Sequence, residues 1–403
     1  MPSVADAAGV PARLSALRPE VRNPLDRALD GVSLTEAEAL ALINTDAADE
    51  ISALLAVAGH VRTQLKGTTV TYSPKVFFPV TNLCRDRCAY CTFRADPDDV
   101  HAWTMLPEEI RASARQGHGL GCIEALMCLG DKPEIAFRGY RQTLQLLGHS
   151  TTISYVRRAC EIALDEGLLP HTNAGLMSRD ELAMLKPVNA SMGLMLENIS
   201  PRLRRKGEVH HYAPDKDPAL RMQMMHEAGE LAIPFTTGIL LGIGETRAEI
   251  VASLAAIRDL HQTYGHIQEI IVQNFRAKPT TPMAARPEPE SLEIARAIAV
   301  TRLMCRDMNI QAPPNLSPYD HRLLLAAGIN DWGGISPLTK DYVNPEAPWP
   351  HVAALAETCR AEGFTLQPRL PIYAEYVDRP GFLDPALRTR VTQCATERGA
   401  PPC

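Results

Sequence analysis

The chain has 403 residues, 45% of them apolar and 22% charged, and a net charge of −6. Neither a basic excess nor a Lys/Arg block is present, which argues against nucleic acid and anionic membrane surfaces as partners. No run approaches the ~18 apolar residues of a membrane helix, Met1–Arg13 lacks the order of a secretory signal, and ten cysteines are too sparse for a disulfide scaffold. A reduced, cytosolic (cytoplasmic) protein is the expectation.

Residues 1–70 read as an N-terminal helical extension. Ser33-Leu-Thr-Glu36 has capping-box spacing, and a second helical pattern runs from Asp49 to Lys66. The chain then alternates. Apolar, β-rich runs stand at 75–80, 123–129, 168–172, 190–196, 235–241, 267–275, 310–313 and 328–335. Helical patterns separate them, several with start signals: Pro107 precedes Glu108 and Glu109, and Ser178 stands three residues before Glu181. Strand-then-helix repeated about eight times predicts parallel strands with right-handed crossovers, closed as a (β/α)8 TIM-type barrel over residues 71–365. Pro313, Pro314, Gly333 and Gly334 fall at strands seven and eight, so a barrel irregular or partly open there is the alternative. Residues 366–403 are Pro-rich and aperiodic and predict an extended C-terminal tail over the surface.

The informative polar segments follow the strands, where barrels place their chemistry. After the first strand, Cys84, Cys88 and Cys91 are spaced C-x3-C-x2-C. Three thiolates are one short of a closed four-thiolate site, and a 4Fe–4S cluster so held keeps one iron free of protein ligands. A zinc site completed by His118 or Cys122, or three unrelated cysteines, are the plainer readings. The remaining cysteines read as ordinary thiols, although Cys122 and Cys128 flank the second strand. Gly130-Asp131-Lys132-Pro133-Glu134 follows that strand and by itself suits a turn. Glu197 ends an apolar strand, where an acid is costly to bury without partners; a helix-start acid is its plainer reading. Gly238, Gly242 and Gly244 suit close packing, Glu245 and Thr246 suit a helix start, and Phe275 suits a core. His171 and His210 are candidate proton donors by residue type.

The run Cys84-Arg-Asp-Arg-Cys88-Ala-Tyr90-Cys91 resembles the C-x3-C-x-aromatic-C signature of the radical S-adenosylmethionine (SAM) superfamily. The resemblance implies one 4Fe–4S cluster on Cys84, Cys88 and Cys91, SAM chelated by the free iron, and a 5′-deoxyadenosyl radical. It also implies SAM contacts at Tyr90, Gly130, Asp131, Glu197, Gly238, Gly242 and Phe275. The runs 79–93, 129–134, 169–173, 189–197, 234–245 and 329–337 further resemble the superfamily's ring-closing, deazaflavin-forming members over roughly residues 70–365. Met127-Cys128 departs from that pattern, which leads one to expect an aromatic and a small polar residue. The reaction so implied closes a hydroxybenzyl-ribityliminouracil adduct to a deazaflavin with release of ammonia. Its partners are a coupling (CofH-type) radical SAM subunit and a cytosolic electron donor. The coupling subunit itself stays an alternative, whereas the lack of a second C-x-x-C cluster argues against a sulfur-inserting enzyme.

Overall fold

The computed structural model describes residues 14–398; Met1–Arg13 of the expected extension and Cys403 lie outside the described residues. Eight strands form one parallel ring: β1 (Thr69–Pro79), β2 (Glu124–Cys128), β3 (Leu169–Asn173), β4 (Ser191–Gly193), β5 (Phe235–Leu241), β6 (Ile267–Asn274), β7 (Asn309–Gln311) and β8 (Asp331–Ile335). β1 pairs with both β2 and β8, which closes the predicted (β/α)8 barrel. The expected weak seam exists but is not an opening. β7 meets β8 through the register pair Gln311↔Asp331, and Asn330 N–H donates to Ile310 O at 3.1 Å.

β1 begins at Thr69 rather than at Lys75, because its first half has a partner that the periodicity did not reveal. That partner is a ninth parallel strand, β9 (Thr365–Pro368), in register Thr69↔Thr365 to Tyr72↔Pro368. The predicted extended tail is therefore corrected. Residues 369–373 thread beneath the barrel, and a helix, Pro385–Arg398, follows. Leu387, Val391 and Cys394 recur at helical spacing and pack in one cluster with Ile123, Leu169 and Ala190, so burial overrides the polar residues between them. Arg369 plugs the barrel floor: its Nη2 donates to Glu269 Oε1 at 2.9 Å and its Nε to Asp331 Oδ2 at 2.6 Å.

The helices Pro19–Leu29, Glu36–Ile43 and Ala48–Lys66 flank the outer wall rather than forming a separate core. The first capping box is Thr35 with Glu38, two residues beyond the predicted pair, because Glu38 rather than Glu36 reaches the Thr35 N–H, at 2.8 Å. Arg62 from the third helix is fully buried and donates to Ile329 O and Thr69 O at 3.0 and 2.6 Å. It ties the extension to the start of β1 and to the segment that enters β8.

Candidate active site

β1 delivers the chain into a long connection, residues 80–106, which carries the three signature cysteines. Its neighbours clamp it from two sides. After β2, Gly130 N–H donates to Thr81 O at 2.9 Å, Asp131 N–H to Cys84 Sγ at 3.1 Å, and Arg85 N–H to Asp131 O at 3.1 Å. Opposite, Arg87 N–H donates to Tyr212 O and Ala89 N–H to Val209 O, both at 2.9 Å. Gly130 must lack a side chain, since a Cβ there would stand 1.9 Å from Leu83 O and 2.8 Å from Cys84 Cβ. Arg85 grips the Asp215 carboxylate with two donors, and Asp215 N–H donates to Asp86 Oδ1 at 3.1 Å.

Cys84, Cys88 and Cys91 all line one cavity of about 310 Å³. Burial pushes the Cys84 thiol up to about 12 and the Cys88 thiol well above its ordinary range. Thiolates at such positions need a cationic centre beside them, which iron supplies. The proposed zinc complements are not on this cavity: Cys122 is buried behind β1, its thiol donating to Lys75 O at 3.4 Å. The donor set fits a cluster held by the three loop cysteines. Cys128, read as an ordinary thiol, lines the same cavity from the end of β2.

Glu197 follows β4 with φ of 63°, a left-handed backbone that non-glycine residues seldom adopt. Its N–H donates to Gly238 O at 2.9 Å and its carbonyl accepts from Leu240 N–H at 3.0 Å, which holds that conformation and turns the carboxylate toward Tyr90 and Lys216. There it accepts from the Tyr90 hydroxyl and from the Lys216 ammonium. Burial alone would raise this carboxyl, but Lys216, and then His210, hold it well below the usual carboxylate range. His210 Nε2 lies 3.1 Å from Glu197 Oε2 and 2.9 Å from the Tyr90 hydroxyl. Burial lowers His210, against the pull of Glu197, which disfavours the charged ring. Asp131 completes this side of the cavity; Gly175, at φ of 73°, leaves room for its carboxylate, which a Cβ would approach to 2.3 Å.

The cavity therefore gathers Tyr90, Gly130, Asp131 and Glu197 with the cysteines. Other expected site residues are not on it. His210 stands one contact behind Tyr90 and Glu197. His171 is buried in the barrel with Nδ1 2.6 Å from Ser191 Oγ, and burial lowers it to about 4. Gly238 packs under β6, where a Cβ would meet Ile271 O at 2.1 Å. Gly242, at φ of 90°, abuts Pro289, and Phe275 packs with Leu240, Ile243 and Met283. Glu245 accepts from the N–H groups of Gly242 and Ile243 at 2.7 and 2.9 Å, and Thr246 caps the helix Arg247–Tyr264, as a helix start requires. Sequence reasoning missed Lys216, Arg221 and Lys75, all of which line the cavity. Their only early signal was a lysine within an otherwise apolar strand and two cations between β4 and β5.

Residues 78–257 match the model of the radical SAM superfamily. The 7,8-didemethyl-8-hydroxy-5-deazariboflavin synthase of Methanothermobacter thermautotrophicus is 47% identical over 324 residues, covering 80% of this chain and 97% of that protein. The FO synthase of Streptomyces coelicolor is 47% identical over 388 residues, 93% of this chain; the chain spans 45% of that longer relative. In fold the chain is similar to the FeFe-hydrogenase maturase from Carboxydothermus hydrogenoformans, with TM-score 0.71, 17% identity and coverage of 96% and 86%. Methylornithine synthase is also similar, with TM-score 0.68, 19% identity and coverage of 85% and 97%. A family cysteine signature on a closed barrel, with near-complete coverage of a relative at this identity, leads to one conclusion: the chain belongs to the radical SAM superfamily and, within it, to the 7,8-didemethyl-8-hydroxy-5-deazariboflavin synthase family.

Proposed function

We propose that the chain performs the ring-closing step, converting the hydroxybenzyl-ribityliminouracil adduct to 7,8-didemethyl-8-hydroxy-5-deazariboflavin with loss of ammonia. The observation that carries this reading is the opening of the three-cysteine loop onto a single barrel cavity, in a chain with the family's motifs. When bound, one 4Fe–4S cluster and SAM supply a 5′-deoxyadenosyl radical for hydrogen abstraction. Cys84, Cys88 and Cys91 would hold the cluster, and Tyr90, Gly130, Asp131 and Glu197, which line the same cavity, would contact SAM. Gly238 fixes the backbone of Glu197 through its carbonyl. His210 orients Tyr90 and Glu197 from behind. Gly242 and Phe275 support the rim, and His171 is left to the barrel interior. The barrel's contribution is positioning and exclusion of water, both of which hydrogen abstraction requires. The partners of this reading are a coupling radical SAM subunit that makes the adduct and an electron donor.

The test is anaerobic incubation of the reconstituted protein with SAM, a strong reductant and the preformed adduct. Deazaflavin fluorescence with release of 5′-deoxyadenosine is the expected result. Consumption of tyrosine without deazaflavin would reassign the chain to the coupling step.

A further inference from the structure

Lys75 lies in the second half of β1, inside the barrel, and is 8% exposed. Among the described residues its ammonium has no hydrogen bond and no carboxylate partner. It stands 4.8 Å from the ring centroid of Trp349 and 5.8 Å from that of Phe77. Aromatic faces stabilise a cation but leave its hydrogen bonds unmade, and a buried ammonium without an acceptor is costly. The site is nevertheless built to hold it: a Cβ on Gly334 of β8 would lie 2.2 to 2.5 Å from the last three atoms of the Lys75 side chain. A glycine has been placed where the lysine stem must pass.

Asn315 and Gln273, on the same side of the cavity, also leave polar atoms open. Asn315, 3% exposed and just beyond β7, gives its Nδ2 to Asp341 Oδ2 at 2.9 Å and to Ala347 O at 3.1 Å. Its Oδ1 is buried without a partner. The Gln273 carboxamide on β6 makes no hydrogen bond among the described residues. Gln273 is half-buried, whereas Lys75 and Asn315 are buried, and buried polar groups are normally paired, so these open positions on one wall point to a ligand that pairs them. In the closed ring this wall is β6 to β8 with the adjoining β1, across the cavity from the loops after β2 and β4 that carry Asp131 and Glu197.

We propose that Lys75, Gln273 and Asn315 form the subsite for the pyrimidinedione ring of the substrate, an inference that rests on the proposed ring-closing function. A pyrimidinedione edge presents carbonyl, N–H, carbonyl in order. The Lys75 ammonium donates to one carbonyl oxygen, the Asn315 Oδ1 accepts the ring N–H, and the Gln273 carboxamide donates to the second carbonyl. Trp349 and Phe77 offer apolar faces to the flat ring. The phenol end of the adduct has a single hydroxyl and would leave this set unpaired. Lys75 and its neighbours are thus specificity-determining residues that hold the ring while SAM occupies the opposite wall.

The test is titration of the anaerobic holoprotein with the fluorescent deazaflavin product, which keeps the dione edge, alongside titration with SAM followed by the cluster's absorbance. Lys75→Met preserves the apolar stem and removes the donor; Gln273→Leu removes the second polar group, and either variant alone decides. Hydrogen bonds to a charged donor correspond to about tenfold to a hundredfold in affinity, so Lys75→Met is expected to weaken product binding by that factor and Gln273→Leu by less. The SAM midpoint stays in place, which a general loss of fold would not permit. Parent protein that binds product no more tightly than either variant does overturns the subsite alone. Parent protein that responds to SAM yet binds no deazaflavin overturns the ring-closing reading and the subsite together.

Discussion

The Lys216 ammonium is ion-paired with the Glu197 carboxylate at the cavity wall, and neither side chain is more than 15% exposed. Breaking a buried pair from one side strands the other charge, at a cost of about 3–5 kcal/mol. Glu197→Gln is expected to lower the melting temperature sharply, and Lys216→Met likewise. The double variant Glu197→Gln/Lys216→Met should be more stable than the sum of the two losses implies. Strict additivity in thermal unfolding would show that the pair is not coupled.

Gly130 sets how closely the loop after β2 approaches the cysteine loop. Gly130→Ala places a methyl group against Leu83 O, so Cys84 must move. The expected outcome is a marked fall in iron and sulfide bound per chain after reconstitution. Gly139→Ala is the control: it meets nothing within 4 Å and lies in the helix Arg138–Leu146. There alanine should match or exceed the parent in stability, by roughly 0.5–1 kcal/mol.

Cys128 shares the cavity with the signature cysteines, but it is carried by a strand rather than by the loop, and among the described residues its Sγ accepts no backbone N–H. Cys84 does accept one, from Asp131. Cys84→Ala is therefore expected to abolish the brown chromophore and the spectral response to SAM, and Cys128→Ala to retain both. Equal iron loss in the two variants would make Cys128 a ligand.

His266 is buried between Phe235 and Tyr264, at ring-centroid distances of 6.1 and 5.7 Å, and burial lowers it to about 3. Below the unfolded value of about 6.5 the unfolded chain takes a proton that the folded ring refuses. Stability from His266 is thus fully present above pH 6.5 and is lost as pH falls toward 3. Glu269, pushed up to about 8 by burial, acts with the opposite sign, so the quantity to measure is the difference between parent and His266→Phe. The parent should lose up to about 1.4 kcal/mol per pH unit relative to the variant below pH 6.5. A difference that does not change between pH 7 and pH 5 would sink this account.

The barrel and the cysteine loop were legible in the sequence because both are local signals. Strand–helix alternation is a period, and C-x3-C-x2-C is a spacing. The other half of the site was not legible, because it depends on contacts across the ring. Nothing near Lys216 in the chain announces Glu197, and the environment of Lys75 is made by Gly334, Trp349 and Phe77. Residue type alone marks His171 and His210, and it carries no information on depth; one lies in the barrel interior and one behind the wall. The tail misled because Leu387, Val391 and Cys394 are outnumbered by polar neighbours, and because β9 and Arg369 take their meaning from partners on other strands, β1 for the one and β6 and β8 for the other.

The strap under β1 makes the barrel a vessel whose base is fitted last. A chain leaving the ribosome presents the lower edge of β1 unpaired until residue 365 has emerged. The Glu269 and Asp331 side chains stay hydrated until Arg369 arrives to donate hydrogen bonds to both. One short segment thus completes both the edge of β1 and the charge balance of the barrel floor, so a chain that ends before residue 365 lacks the two together.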